Sequence, residues 1–217
     1  MAKDFDGSTS IITTSLTTHN STRSYGIWTY REGAGEATFG RMFDKSAVER
    51  LINDQDGVSP DGYSFSRVFS GGTADWVIAA PSLNVWHHVL VTYDSSSATN
   101  DPIFYIDGIS QSLTGDSNTT GTANTNTEPY IIGNRGDVAR TWDGRLCEFA
   151  IWNRILTAAE VASIGGDSFS ALFYPDSLIF YAPLIREAID IKGTGSLTDT
   201  ATSVIAHPRI IYPQGSF

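Results

Sequence analysis

Along most of the chain, apolar and polar residues alternate with the two-residue period of a half-buried strand. The pattern is sharpest over 86–94, where Val89, Val91 and Tyr93 fall on one face and Trp86, His88 and Leu90 on the other. Residues 63–69 set Tyr63, Phe65, Arg67 and Phe69 against Ser64, Ser66 and Val68. Residues 24–31 set Tyr25, Ile27 and Thr29 against Trp28 and Tyr30. Further strands are predicted over 4–14, 39–45, 75–80, 103–106, 130–133 and 145–153. Over 46–53 a Ser46–Glu49 capping signal competes with a strand, and the strand is preferred. Asp107-Gly108 between apolar runs is a hairpin turn, with 111–113 as the returning strand. Residues 15–24, 95–101 and 114–127 read as surface loops; the last has no large apolar side chain at all.

A single helix interrupts this pattern. Thr157 and Glu160 stand at capping-box spacing, Leu156 and Val161 form a hydrophobic staple across the start, and Gly165-Gly166 supply a stop. The last fifty residues differ in character. Residues 172–184 are strongly apolar and broken by Pro175 and Pro183; residues 204–217 are apolar with two prolines and no acid. The chain therefore divides into a sandwich over 1–166 and an extension over 167–217. The extension either completes a sheet edge or is an apolar arm that docks on a neighbouring subunit. Many short strands with turn-rich links predict an all-β chain of two antiparallel sheets.

Composition narrows the function classes. With 217 residues, 41% hydrophobic and 18% charged, the chain can bury one sizeable core. A formal net charge of −10 argues against a nucleic-acid partner, which needs clustered Lys and Arg. No stretch has transmembrane length, and Met-Ala-Lys-Asp-Phe-Asp-Gly is not a signal peptide, so synthesis in a cytoplasm without export is expected, and no membrane partner. Cys147 stands alone in an apolar strand, so it forms no intrachain disulfide and reads as a small buried hydrophobe.

Several short motifs, taken in order, resemble a known family. They are Phe5-Asp6-Gly7, Trp86-His87-His88-Val89 with Tyr93-Asp94, Phe104-Tyr105-Ile106-Asp107-Gly108, Ile132-Gly133, Asp143-Gly144-Arg145-Leu146, Phe149, Trp152-Asn153-Arg154, Leu156, and the Thr157–Glu160 box. Together they resemble the laminin-G-like domain of the concanavalin A-like lectin/glucanase superfamily, of the kind found in phage virion proteins. The resemblance implies a jelly-roll sandwich. It raises hydrolysis, but the E-x-D-x-x-E strand motif of the superfamily's retaining glucanases is missing: Glu148 is the only acid in its strand and Asp107 sits at a turn. No enzyme is expected. Adjacent His87 and His88 point to opposite faces of a strand and cannot share one ion.

The resemblance also implies a calcium site at one rim of the sandwich. Asn134, Asp137 and Asp143 would supply its oxygens, with Asp75 able to approach. Saccharide recognition needs an aromatic platform with planar polar partners. Trp142, in a polar loop, is the first candidate platform and Trp76 the second; Asn134, Arg135, Arg140 and Asp137 are the candidate partners. Trp28, Trp86 and Trp152 lie in strand patterns and are expected in the core. The resulting expectation is a non-enzymatic virion surface protein, a phage head decoration or tail adhesin, with a lectin-like jelly roll. Its expected partners are other virion proteins or a second copy through the C-terminal segment, and host glycans. The rivals are a stand-alone carbohydrate-binding module and a glycoside hydrolase of the same fold.

Overall fold

The computed structural model describes residues 1–55, 57 and 61–215. In chain order the strands are β1 (Ala2–Asp6), β2 (Ile11–Thr14), β3 (Thr22–Arg31), β4 (Phe39–Lys45), β5 (Glu49–Asp54), β6 (Gly62–Phe69), β7 (Gly72–Ile78) and β8 (Trp86–Asp94). They continue with β9 (Ile103–Ile106), β10 (Ile109–Ser110), β11 (Gly115–Ser117), β12 (Ile131–Ile132) and β13 (Asp143–Trp152). Helix α1 (Ala158–Gly165) follows, then β14 (Leu178–Ala182), β15 (Leu197–Thr200) and β16 (Ser203–Ile205). No helix among the described residues is long and apolar enough to cross a membrane.

The strands form two antiparallel sheets. The first runs β10-β9-β8-β3-β13-β1-β16, with β14 also on β13; the second runs β11-β7-β6-β5-β4-β12-β2-β15. The strand expected over 4–14 is in fact two. Gly7 turns at φ 68, and the Asp6 carboxylate accepts the N–H groups of Ser8, Thr9 and Ser10 at 2.9, 2.7 and 3.0 Å. The chain thereby leaves the first sheet and enters the second, which periodicity alone does not reveal. The 114–127 segment is not all loop: β11 pairs β7, and Ala123 bridges Phe69. Over 46–53 the strand starts only at Glu49, after a turn. The hairpin returns at β10, two residues before the predicted position, and Asp107 and Gly108 both take positive φ, as a mirror-image turn requires.

Two cores result. Between the sheets pack Phe43, Phe65, Trp76, Val89, Val91, Tyr93, Phe149 and their neighbours. A second cluster lies outside the first sheet, where Leu90, Tyr105, Ala150 and Trp152 meet Leu156, Val161 and Ile164 of the helix region and Tyr181 of β14. This explains why β8 is apolar on both faces: each face is covered. Full burial of such a side chain contributes about 1.5–3 kcal/mol.

The helix is held as its sequence predicts. The Glu160 N–H donates to Thr157 Oγ1 at 3.3 Å, and the Thr157 N–H donates to Glu160 Oε2 at 2.8 Å. Arg154 clasps the same carboxylate with both Nη atoms, at 2.8 and 2.7 Å. The stop works differently from expectation. Gly166 is right-handed (φ −82), so there is no left-handed cap. Gly165 is required by close approach, since a Cβ there would lie 2.4 Å from the Gly108 nitrogen. Thr157→Ala should cost about 1 kcal/mol, seen as a drop of about 2–4 °C in the thermal midpoint.

The C-terminal extension packs in cis and completes edges of both sheets: β15 pairs β2, β16 pairs β1, and β14 pairs β13. It is latched at a bulge. Glu148 takes φ 58 where the β13–β3 register slips. Its carboxylate accepts the hydroxyls of Tyr181 and of Tyr212 (2.7 Å) and contacts His207 Nε2 at 3.2 Å.

One end of the main core is ionic. Glu49, 2% exposed, accepts the hydroxyls of Tyr25 and Tyr130 and meets His19 Nε2 at 2.9 Å, with Arg67 Nε at 4.0 Å. Burial would push this carboxyl up. The hydrogen bond and charge of His19, the charge of Arg67 and the Tyr130 hydroxyl outweigh that and hold it at about 2. The nearby cations fasten loops: Arg67 donates to the carbonyls of Val48 and Asn124, Lys45 to Thr17 and Glu128, and Arg23 to Thr18.

Candidate functional site

The outward face of the second sheet carries a groove of about 500 Å³. Strand register builds it. Arg41 of β4, Ile52 of β5, Ser64 of β6, Val77 of β7 and Gly115 of β11 lie side by side in one row across the sheet. The adjacent outward row is Asp44, Arg50, Ser66, Asp75 and Ser117. The alternate residues, Phe43, Leu51, Phe65 and Trp76, face the core. A bulge at Met42 brings both Arg41 and Asp44 to the outward side. Phe39 and Asp54 close one end, and Arg135 and Arg140 reach over from the 133–142 loop. The result is an apolar floor of Ile52, Val77 and Phe39 under a rim of guanidinium, carboxylate and hydroxyl groups.

Most rim charges are arranged in pairs. Arg50 Nη2 lies 3.7 Å from Asp75 Oδ1, which also accepts the Ser66 hydroxyl. Arg140 stacks over the Phe39 ring at 5.7 Å. Arg41 is only 7% exposed; its Nε reaches Asp44 Oδ1 at 3.7 Å, and neither Nε nor Nη1 makes a hydrogen bond. Asp44 Oδ2 is likewise without a partner. Burial pulls the Arg41 guanidinium down to about 10 against the opposing charge of Asp44, and Arg50, Arg135 and Arg140 add to the lowering. Burial pushes the Asp44 carboxyl up, against the charges of Arg41, Arg50 and Arg135.

The residues singled out from sequence fare unequally. Arg135 and Arg140 line the groove. Trp142 is 1% exposed and Trp76 0%, so neither offers a platform. Trp142 packs against Tyr63, with ring centroids 6.2 Å apart, and Trp76 donates its indole N–H to Asp101 at 2.8 Å. Polar neighbours in sequence do not keep an indole outside when the loop folds it under the sheet edge. Asn134, 0% exposed, is a loop fastener: its amide donates to the Ser10 carbonyl and Thr141 Oγ1 and accepts the N–H groups of Arg135 and Arg140. Sequence reading missed Arg41, Arg50, Ile52 and Asp54. The signal was there: Arg50, Ile52 and Asp54 alternate with Leu51 and Asn53, which places charge on one face of a central strand.

The residues proposed for calcium do not fit an ion. Asn134 has spent its oxygen on two amides, and the Asp137 carboxylate is forked by Arg135 Nε and Nη2 at 2.7 and 2.5 Å. Asp143 is packed beside Gly7 and Gly33, and burial pushes its carboxyl up. Among the described residues no three His, Cys, Asp or Glu side chains gather as a metal-binding group. Adding excess chelator should leave the thermal midpoint unchanged within about 1 °C, where a ligand at a hundred times its dissociation constant would shift it by about 2.7 kcal/mol in stability terms.

His87 and His88 point to opposite faces, as strand geometry requires. His88 is buried against Trp28, and burial lowers it to about 4. His87 Nδ1 meets Asp107 Oδ2 at 2.7 Å and its Nε2 meets Ser82 Oγ at 3.0 Å, while Asp107 Oδ1 accepts the His88 N–H at 2.8 Å. This chain ties the β9–β10 turn to β8, and none of its members lines the groove.

The sequence pattern of the Laminin_G_3 family, in the Concanavalin A-like lectin/glucanases superfamily, matches residues 5–162. The chain belongs to this family. The match ends inside α1, so β14, β15 and β16 lie beyond the part of this Laminin_G_3 domain that the family pattern covers. Among solved structures, a Bacteroides ovatus protein provisionally named as carbohydrate binding is similar over 97% of this chain, with a TM-score of 0.70 and 18% identity. The Laminin_G_3 chain spans 61% of that protein's length. A pentraxin of the SAP-like type from Limulus polyphemus is similar over 76% of this chain and 81% of its own, with a TM-score of 0.51 and 15% identity. These likenesses establish the fold. No curated protein matches the sequence.

Proposed function

We propose that this domain binds a saccharide without cleaving it, and that the groove on the second sheet is the site. The observation that carries this reading is the apolar floor of Ile52, Val77 and Phe39 beneath arginine, aspartate and serine side chains. Sugar rings present C–H faces to such a floor and hydroxyls to such a rim. The carbohydrate-binding name of the Bacteroides relative agrees with it. Binding is favoured over hydrolysis because the E-x-D-x-x-E strand motif that sets the carboxylate pair of the superfamily's retaining glucanases is missing from the sequence. The setting we propose is a virion surface, where a saccharide-binding sandwich would serve a phage head decoration or tail adhesin. Support for that setting comes from the sequence, and mass spectrometry of purified particles tests it.

The groove itself is tested by filling it. Ser64 stands in the middle of the floor row, so Ser64→Tyr should lower affinity for any saccharide found on a glycan array by at least about tenfold, or 1.4 kcal/mol, with an unchanged circular dichroism spectrum. Undiminished binding would place the site elsewhere. Binding to no glycan at all would remove the reading.

A further inference from the structure

The inference here rests on the groove being a saccharide site. We propose that its arginine end holds the carboxylate of a uronic-acid residue, so that the ligand is an acidic oligosaccharide. Only fourteen Lys and Arg residues occur in this chain of net charge −10, yet Arg41, Arg50, Arg135 and Arg140 line this one groove. Nothing in the fold requires that concentration. The Arg67, Lys45 and Arg23 cations inside the sandwich each fasten loop carbonyls; Arg41 Nε and Nη1 fasten none among the described residues.

Arg41 is the centre of the argument. It is more than nine-tenths buried, it lines the groove, and its Nε and Nη1 donors have no hydrogen-bond partner. Asp44, its nearest carboxylate, stays at 3.7 Å, beyond a hydrogen bond. Buried donors left unpaired are costly, and a guanidinium in the groove wall carries the charge that a carboxylate complements. Arg135 and Arg140 come to the same end on a loop pinned by Asn134, whose side-chain oxygen accepts both of their backbone N–H groups. The backbone that carries them is thus fixed before a ligand arrives, which limits the ordering cost of binding; Arg135 is already forked by Asp137, so Arg140 is the freer of the two.

The other end of the groove carries carboxylates, although Arg50 stands 3.7 Å from one of them. Asp75 and Asp116 stand at β7 and β11, with the hydroxyl of Ser117 beside them. Asp116 disfavours a carboxylate there, and neutral hydroxyls suit that end; at the β4 end Arg41, Arg135 and Arg140 stand together with Asp44 and Asp54. A uniformly charged polyanion such as nucleic acid matches neither the acid end nor the net charge of the chain.

The test is calorimetric titration with galacturonate, glucuronate and mannuronate oligosaccharides, their methyl esters, sulfated neutral oligosaccharides and unmodified neutral ones. One uronate should bind, its methyl ester at least about thirtyfold more weakly. Arg41→Lys should lose about tenfold and Arg140→Ala about fivefold, with the melting midpoint of each variant confirming that it folds. Equal binding of acid and methyl ester, or preference for neutral or sulfated sugars at the Ser64-dependent site, overturns the inference while leaving the groove reading intact. Binding of no saccharide overturns both.

Discussion

Replacing Glu49 by alanine should lower the unfolding free energy by about 3–5 kcal/mol, the usual penalty for removing one partner of a buried ionic group. The thermal midpoint should fall by about 2–4 °C for each kcal/mol. The reason is the company Glu49 keeps. Its carboxylate is the shared acceptor of Tyr25, Tyr130 and His19, and it faces Arg67, whose side chain is sealed from solvent. Without it two buried phenolic hydroxyls lose their acceptor, and Arg67, though still bonded to the Val48 and Asn124 carbonyls, loses its buried counter-charge. The same residue sets an acid limit. Its folded-state value of about 2 lies below the unfolded carboxylate value of about 4.3. A depressed carboxyl contributes stability that is full above the unfolded value and lost as pH falls through the folded one. Denaturant melts should therefore show stability declining from about pH 4.5 towards pH 2, and Glu49→Gln should flatten that decline. Equal slopes for the two proteins would show that other carboxylates set the acid limit.

The second large effect concerns the C-terminal extension. A chain ending at Gly195 lacks β15 and β16 and both His207 and Tyr212. It uncovers the edges of β1 and β2 and leaves Glu148 with only its β14 partner Tyr181. Leu197, Ile205 and Ile210 also pack on the main core. The expected outcome is a loss of several kcal/mol, about 2–4 °C in midpoint for each. Light scattering should rise with concentration, because newly bared strand edges pair with other chains. A shortened chain that melts at the full-length midpoint would show that the extension contributes no stability in cis.

These two sites differ in how far the sequence revealed them. The α1 cap was readable because Thr157 and Glu160 are three residues apart and their partners are each other. Glu49 was not, because its partners come from residues 19, 25, 67 and 130, and no local pattern joins them. The break between β1 and β2 was hidden by apolar residues on both sides of Gly7, although each strand belongs to a different sheet. Trp142 was misplaced for a related reason. Its loop is polar, but Tyr63 from a distant strand supplies the surface it packs on. Of the groove, Arg135 and Arg140 were found because they cluster in one loop. Arg41 and Arg50 were missed because their meaning depends on strand register, which brings β4 and β5 side by side with β6 and β7.

The pairing of the first strands has a consequence for how the chain reaches this structure. Among the described residues β1 pairs only with β13 and β16, and β2 only with β12 and β15. During synthesis the first fourteen residues must wait until more than a hundred further residues have emerged before any ladder can form on them. Contacts of such sequence separation put the domain among slow folders, on the millisecond-to-second scale. In that interval Phe5 and Ile12, both buried at the end, are carried on strands without neighbours. The β4–β7 meander, whose strands follow one another directly, can assemble meanwhile. The floor of the groove therefore lies mainly on strands that can pair early, while β11 and the 133–142 loop with Arg135 and Arg140 join it later.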